Sequence, residues 1–228
     1  MLATNESGSA HLRFFDLATS SESLVVPLET TGVFNIAWSS SGSRLAVATK
    51  DGHIIVLDPR DPARKASGKA HDSPRSFQIA WIDSDHIVTV GFSRGSQRRI
   101  NLYKIGSEIE TIFSLLIDVS PSVLFPVYDP DTSILYVWGK GERQIQAYEV
   151  HPGNKNEPIA KLPSYTGGTP QLGLSFFPKR SVDVTKVEVA KALRLTAKTI
   201  EEVTFSIPRN KVRCAALSVL LSVELLLM

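Results

Sequence analysis

Between residues 34 and 58 apolar and polar positions alternate in short bursts broken by serine and glycine. Phe34-Asn35-Ile36-Ala37-Trp38 alternates and runs into Ser-Ser-Ser-Gly. Leu45-Ala46-Val47-Ala48-Thr49 is an apolar run that ends at Lys50-Asp51-Gly52. Ile54-Ile55-Val56-Leu57 follows, rich in β-branched residues, and Asp58-Pro59 stops it. A period of two with β-branched enrichment predicts strands. The Asp-Gly pair supplies the positive φ that a tight hairpin needs. This stretch therefore reads as three short strands joined by two turns.

The pattern recurs. Trp38 reappears as Trp81, 43 residues on, and Leu45 as Leu135, 90 residues on. HIIVLDP, RINLYKI and QIQAYEV are three versions of one strand, and HLRFFD near the N-terminus is a fourth. Short strands repeating every ~40–45 residues are the mark of propeller blades, each a small sheet that buries its faces only against neighbours. The predicted blades span about 24–58, 70–104, 109–150 and 159–207. Leu24 to Leu28 and the polar stretch 59–69 suit outer strands, where a proline is tolerated. Residues 186–195 are ambiguous between strand and helix. Residues 208–228 end in CAALSVLLSVELLLM, a divergent apolar tail that is either buried as a helix or foreign to the fold. At fifteen residues it is shorter than the roughly 20 that a membrane span requires.

The composition narrows the function classes. Net charge is +2 in 228 residues, so general attraction to nucleic acid or membrane is not expected. The single cysteine, Cys214, allows no internal disulfide and points to a reducing compartment. The five histidines are scattered and none has the spacing of a helical metal site, so no metal and no cofactor are expected.

Three short motifs weaken on inspection. Gly91-Phe92-Ser93-Arg94-Gly95 matches a hydrolase elbow, which needs a helix after the serine, whereas a strand pattern follows. The Asp129-Pro130-Asp131 stretch puts Ile134 and Lys140 where a calcium loop needs Gly and Glu, and reads as a type I turn. Gly139-Lys140-Gly141 lacks the spacer of a phosphate loop and reads as the turn equivalent to 50–52. Trp38 and Trp81 recur at one repeat position and are expected to pack between blades, and Asp51 and Asp58 mark turn and strand-end positions of the same repeat.

At this depth the residues resemble a family. DPDTSILYVWGKGERQIQAYEV at 129–150, PQLGLSFFPKRSVDVTKVEVA at 170–190 and TFSIPR at 204–209 resemble the coronins, as does HDSPRSFQIAW with the strand after it. The resemblance implies an all-β WD-repeat β-propeller, incomplete here at about four of seven blades and covering the C-terminal part of the propeller. It also implies a non-enzymatic, cytoplasmic protein of the actin cytoskeleton. Its partners would be filamentous actin and the actin-branching Arp complex, with no nucleic acid and no transmembrane segment. The chain departs from the family pattern in lacking a coiled coil and in its worn Trp-Asp strand ends, which are Leu57-Asp58, Tyr103-Lys104 and Tyr148-Glu149. The family's N-terminal actin contacts match no residues here. Rival readings are a truncated fragment without function, a WD-repeat scaffold unrelated to actin, and, last, a hydrolase built on Ser93. WD repeats place a histidine where His71 stands, to bond a turn aspartate, yet its own unit offers Ser93 to Gln97 there, so His71 is either structural or an exposed loop residue.

The repeat also suggests a surface. Turns between second and third strands of successive blades fall on one face, as do the loops entering first strands. Lys50, Arg94, Arg98, Arg99, Lys140 and Arg143, with Arg75, are thereby expected to form a basic rim for an acidic partner. The plainer reading is that turns collect solvated cations.

Overall fold

The computed structural model describes residues 1–5, 10–207 and 222–226, the last by backbone alone. Among these residues β1 (Leu2–Asn5), β2 (His11–Asp16) and β3 (Ser21–Pro27) form a three-stranded sheet. A four-stranded sheet follows, with β4 (Val33–Trp38), β5 (Leu45–Thr49), β6 (His53–Asp58) and β7 (Asp61–Lys69) in that order. The next contains β8 (Gln78–Trp81), β9 (His86–Phe92), β10 (Gln97–Ile105) and β11 (Ile109–Val119). Then come β12 (Leu124–Asp129), β13 (Ile134–Gly139), β14 (Gln144–Val150) and β15 (Ile159–Thr166). The last sheet is β16 (Gly173–Phe176), β17 (Glu188–Leu195), β18 (Ile200–Ser206) and β19 (Ser222–Leu226). No α-helix occurs among the described residues, only 3-10 turns at Arg94–Ser96, Lys179–Ser181 and Val184–Lys186.

Local chemistry explains which strand lies where. Pro27, Pro62, Pro126 and Pro163 fall in β3, β7, β12 and β15, all at sheet edges, where no ladder bond is lost. β5 and β6 are centre strands, and their apolar runs are buried on both faces. β7, with sequence DPARKASGK, is mostly exposed, as its polar composition demands.

The sequence repeats and the sheets are out of phase by one strand. The repeat beginning at 24 opens on residues that pair back to β2, with Leu12 opposite Val26 and Phe14 opposite Leu24. The repeats at 24–58, 109–150 and 159–207 thus each contribute the outer strand of one sheet and the three inner strands of the next, while the repeat at 70–104 holds β8 to β10 alone. The reason is mechanical: a repeat that straddles two sheets ties them together through the chain itself. Of the ambiguous stretch 186–195, residues 188–195 form the strand β17, whose residues alternate from Ala190 onward with Ala190, Ala192 and Arg194 buried, and Lys186 closes a 3-10 turn. The tail expectation needs correction at 222–226. This segment pairs antiparallel with β18, Val203 opposite Leu225, as the outer strand of the last sheet. An unpaired β18 edge would leave a row of backbone donors and acceptors open. The rest of the tail, including Cys214, lies outside the described residues.

The chain divides into two compact units, Met1–Tyr128 and Asp129–Met228. In the first, β5 illustrates the packing rule. Leu45 and Val47 join Leu12, Phe14, Val26 and Leu57 in one core cluster. Ala46 and Ala48 point the other way and join Phe77, Ile79, Trp81 and Tyr103 in a second. Small alanines facing large aromatics let the sheets approach closely. A fully buried side chain such as Phe77 contributes roughly 2–3 kcal/mol. Trp81 sits at this seam with its indole N–H donating to Ala37 O at 2.8 Å, and Trp38 meets Phe14 edge-on at 6.1 Å. In the second unit Tyr136, Phe176 and Phe205 form an aromatic cluster, and Arg194, wholly buried, bonds Glu201, Gln171 and Thr169 O while its guanidinium lies over Tyr165.

Candidate functional site

The turns that join second to third strands are built alike. At 50–52, Thr49 Oγ1 and His53 exchange hydrogen bonds of 2.9 and 3.0 Å, and Gly52 takes φ 81°. Asp51 accepts from Thr30 Oγ1 at 2.9 Å. Partial burial would raise the pKa of Asp51, but hydrogen bonds from Thr49 and Thr30 outweigh it and hold the carboxyl below its usual range. At 140–143, Gly141 takes φ 85°, and the buried Gln171 receives it: Gly141 N donates to Gln171 O, and Gln171 Nε2 donates to Gln144 O at 2.8 Å. At 93–96, Gly95 and Ser96 carry the positive φ, and Ser93 N closes onto Gln97 O at 2.8 Å. Ser93 Oγ donates to Gln97 Oε1 at 3.3 Å, and the strand β10, not a helix, follows it.

The basic residues separate into groups. Lys50, Arg75 and Arg94 are exposed in the first unit, and Lys140 and Arg143 are exposed in the second. Arg75 lies over the Phe92 ring at 4.9 Å. Lys50, Lys69 and Arg94 line one hollow together with Asp51 and Asp72. Arg94 and Arg99 line an adjoining hollow of about 370 Å³. Arg98 is a correction. It is 3% exposed, donates to both oxygens of Asp118 at 2.6 and 2.5 Å, and reaches Ser122 O at 3.2 Å. A guanidinium held this way inside the sheet is unavailable to a partner. Its neighbour Arg99 lies on the opposite face, because successive side chains of β10 alternate.

His71 is buried, 5% exposed, and belongs to a polar network rather than to a solvated loop. Its Nε2 meets Thr89 Oγ1 at 2.7 Å. Thr89 reaches Tyr103 Oη at 3.5 Å, and Tyr103 Oη donates to Ala70 O at 3.0 Å. Asn101 Nδ2 donates to Tyr103 Oη at 3.0 Å, and Ser114 Oγ donates to Asn101 Oδ1 at 2.6 Å. Arg99 Nη1 then donates to Ser114 Oγ at 3.1 Å. His71 Nδ1 is buried without a partner. Burial lowers the His71 pKa to about 4; the Asp72 carboxylate opposes the shift and Arg99 adds to it. The imidazole is neutral at pH 7. Sequence reasoning left His71 undecided and saw nothing in Asn101 or Ser114. The one available signal was the pairing of an amide two residues before a tyrosine in the third strand, Asn101 with Tyr103, repeated as Gln146 with Tyr148, where Tyr148 Oη donates to Gln146 at 2.6 Å.

Among the described residues no group of three or more His, Cys, Asp or Glu side chains is placed to hold a metal ion. No helix among them is long and apolar enough to cross a membrane.

The repeating four-stranded sheets and their turn geometry define the class: an all-β protein of the WD-repeat propeller type. A solved WD40 domain of Toxoplasma gondii coronin superposes with a TM-score of 0.82 at 25% identity, covering 92% of this chain and 54% of that one. The propeller domain of Myceliophteria thermophila Cps50 (Swd1) superposes at 0.62 with 13% identity over 97% of this chain and 66% of that one, a likeness of fold alone. By sequence the chain is 35% identical to mouse Coronin-7 over 201 residues and 33% identical to human Coronin-7 over the same length. No family model matches it. The chain belongs with the coronins, as part of a coronin-type propeller. It spans 87% of its own length in these matches but only 22% of Coronin-7.

Proposed function

We propose that this chain is a non-enzymatic interaction scaffold of the coronin type that binds actin filaments through basic turns on one face of its sheets. The observation that supports this most is the convergence of Lys50, Lys69 and Arg94 around a single hollow, from a turn and the outer strand of one sheet and a turn of the next. Two acids, Asp51 and Asp72, accompany them, and Asp72 is already held by Lys69 at 2.5 Å. An unbalanced positive surface on a chain of net charge +2 suits an acidic partner. Kinship with coronins supplies the class of partner: filamentous actin, and through it the branching Arp complex, at the cytoplasmic cytoskeleton.

Arg98 is excluded from the contact surface, and Lys140 and Arg143 are separate candidates in the second unit. The test is co-sedimentation with filaments at low salt, comparing the chain with Lys50→Glu, Arg94→Glu double substitution in the full-length protein. The expected result is a loss of about tenfold or more in affinity, since reversing two charges costs at least one unit of 1.4 kcal/mol. Unchanged co-sedimentation of a folded double variant would remove this face. Absence of filament binding by the parent protein would leave a WD-repeat scaffold unrelated to actin.

A further inference from the structure

The hollow beside His71 has features that a merely solvated basic turn lacks. Arg99 is half-buried, and its Nη1 is fixed on Ser114 Oγ rather than on a carboxylate. Ser114 is itself fixed by Asn101, Asn101 by Tyr103, and Tyr103 by the backbone at Ala70. The guanidinium is thus oriented by a chain of bonds running into the core, at an entropic cost met during folding. Arg94 stands across the same hollow on the 3-10 turn. Among the described residues neither arginine forms an ion pair; the Asp72 carboxylate that lines the hollow with them is bonded to Lys69. His71 lines the hollow too, and its Nδ1 is buried with no partner.

We infer that this hollow is a carboxylate-binding site, in which Arg99 and Arg94 clasp a glutamate or aspartate side chain presented by a partner protein. The free edge of the Arg99 guanidinium offers parallel donors that match the two oxygens of a carboxylate. A singly charged carboxylate is favoured over a phosphoryl group because Asp72 lines the same hollow and repels a second negative charge. The hydroxyl of Ser114 is also already spent on Asn101. The site deepens the reading of the basic face as a surface for an acidic partner, and rests on it for the partner's class alone.

The probe is a fluorescent hexaglutamate peptide, titrated by anisotropy against the full chain. A neutral peptide of equal length with one phosphoserine is run in parallel. Arg99→Gln is expected to weaken hexaglutamate about tenfold, the loss of one charge-assisted bidentate contact. Ser114→Ala, which changes no charge, is expected to weaken it about threefold by releasing Arg99, a smaller share of the same contact. Arg60→Gln, an exposed cation on a different turn, is expected to leave binding within about twofold. Equal losses for Arg60→Gln and Arg99→Gln would overturn the site and leave a diffuse charge effect. Tighter binding of the phosphopeptide would overturn the carboxylate assignment, and no binding of either peptide would overturn the site. Hexaglutamate binding that persists in a protein unable to co-sediment with filaments keeps the site and rejects actin as the partner.

Discussion

At the scale of single residues, burial decides what a charged or titratable side chain is for. Arg98 and Arg99 are neighbours in sequence, yet one is a structural ion pair and the other an open donor. Truncating Arg98 to alanine strands Asp118, whose side chain keeps 38% of its exposure and so part of its hydration. The expected destabilisation is about 2 kcal/mol, below the 3–5 typical of fully buried pairs, and urea denaturation of the variant measures it. His71 gives a pH signature. Its folded pKa of about 4 lies below the unfolded value of 6.5, so the unfolded chain binds the extra proton between those limits. This contribution to stability is complete above pH 6.5 and lost as pH falls towards 4. It amounts to about 3 kcal/mol at most, taking 1.36 kcal/mol per unit. Denaturation midpoints of the parent should fall between pH 7 and pH 5 more steeply than those of His71→Gln. Parallel curves would show that His71 titrates freely in the folded chain.

At the scale of elements, the outer strands add to the contacts that the inner strands make between sheets. β7 approaches β11 at Gly68, where a methyl group would collide with the Ile109 carbonyl and stand 2.8 Å from Ile109 Cβ. Backbone cannot yield as a side-chain tip can, so Gly68→Ala must shift one strand. The expected cost is about 1–3 kcal/mol, the usual penalty of overpacking, read as a lowered melting temperature. Gly141→Ala makes a useful contrast in the second unit. Its Cβ would meet open space, yet φ 85° disfavours any side chain, so a loss of about 1–2 kcal/mol is expected from conformation alone. A Gly68 variant as stable as the parent would mean that the two outer strands do not touch in solution.

At the scale of the whole molecule, the charge balance governs association more than folding. A net +2 across 228 residues gives no long-range field of consequence, so attraction is local to the basic turns. Binding to an acidic partner should therefore weaken steadily as salt rises and the screening length shortens. Co-sedimentation across a salt series tests this, and affinity independent of salt would point to an apolar contact instead. The match to Coronin-7 covers 22% of that protein.

The strands, their turns and their two buried faces were legible in the residues alone. A period of two is a local property, and proline, Asp-Gly and β-branched runs act within a few positions of themselves. So β4 to β6 stand where the pattern of 34–58 puts them, and the repeated tryptophans sit between sheets as repeat cores require. What depended on tertiary structure was anything set by a neighbouring strand. Residues 24–28 read as an outer strand, but only the sheet shows that β3 pairs back to β2. Residues 222–226 read as apolar tail, and pairing with β18 makes them a strand. Alternation puts Arg98 and Arg99 on opposite faces of β10, and no local propensity encodes which one a facing aspartate will hold. His71 was undecidable for the same reason, because its partner Thr89 is eighteen residues away and reaches it only when the sheet is formed.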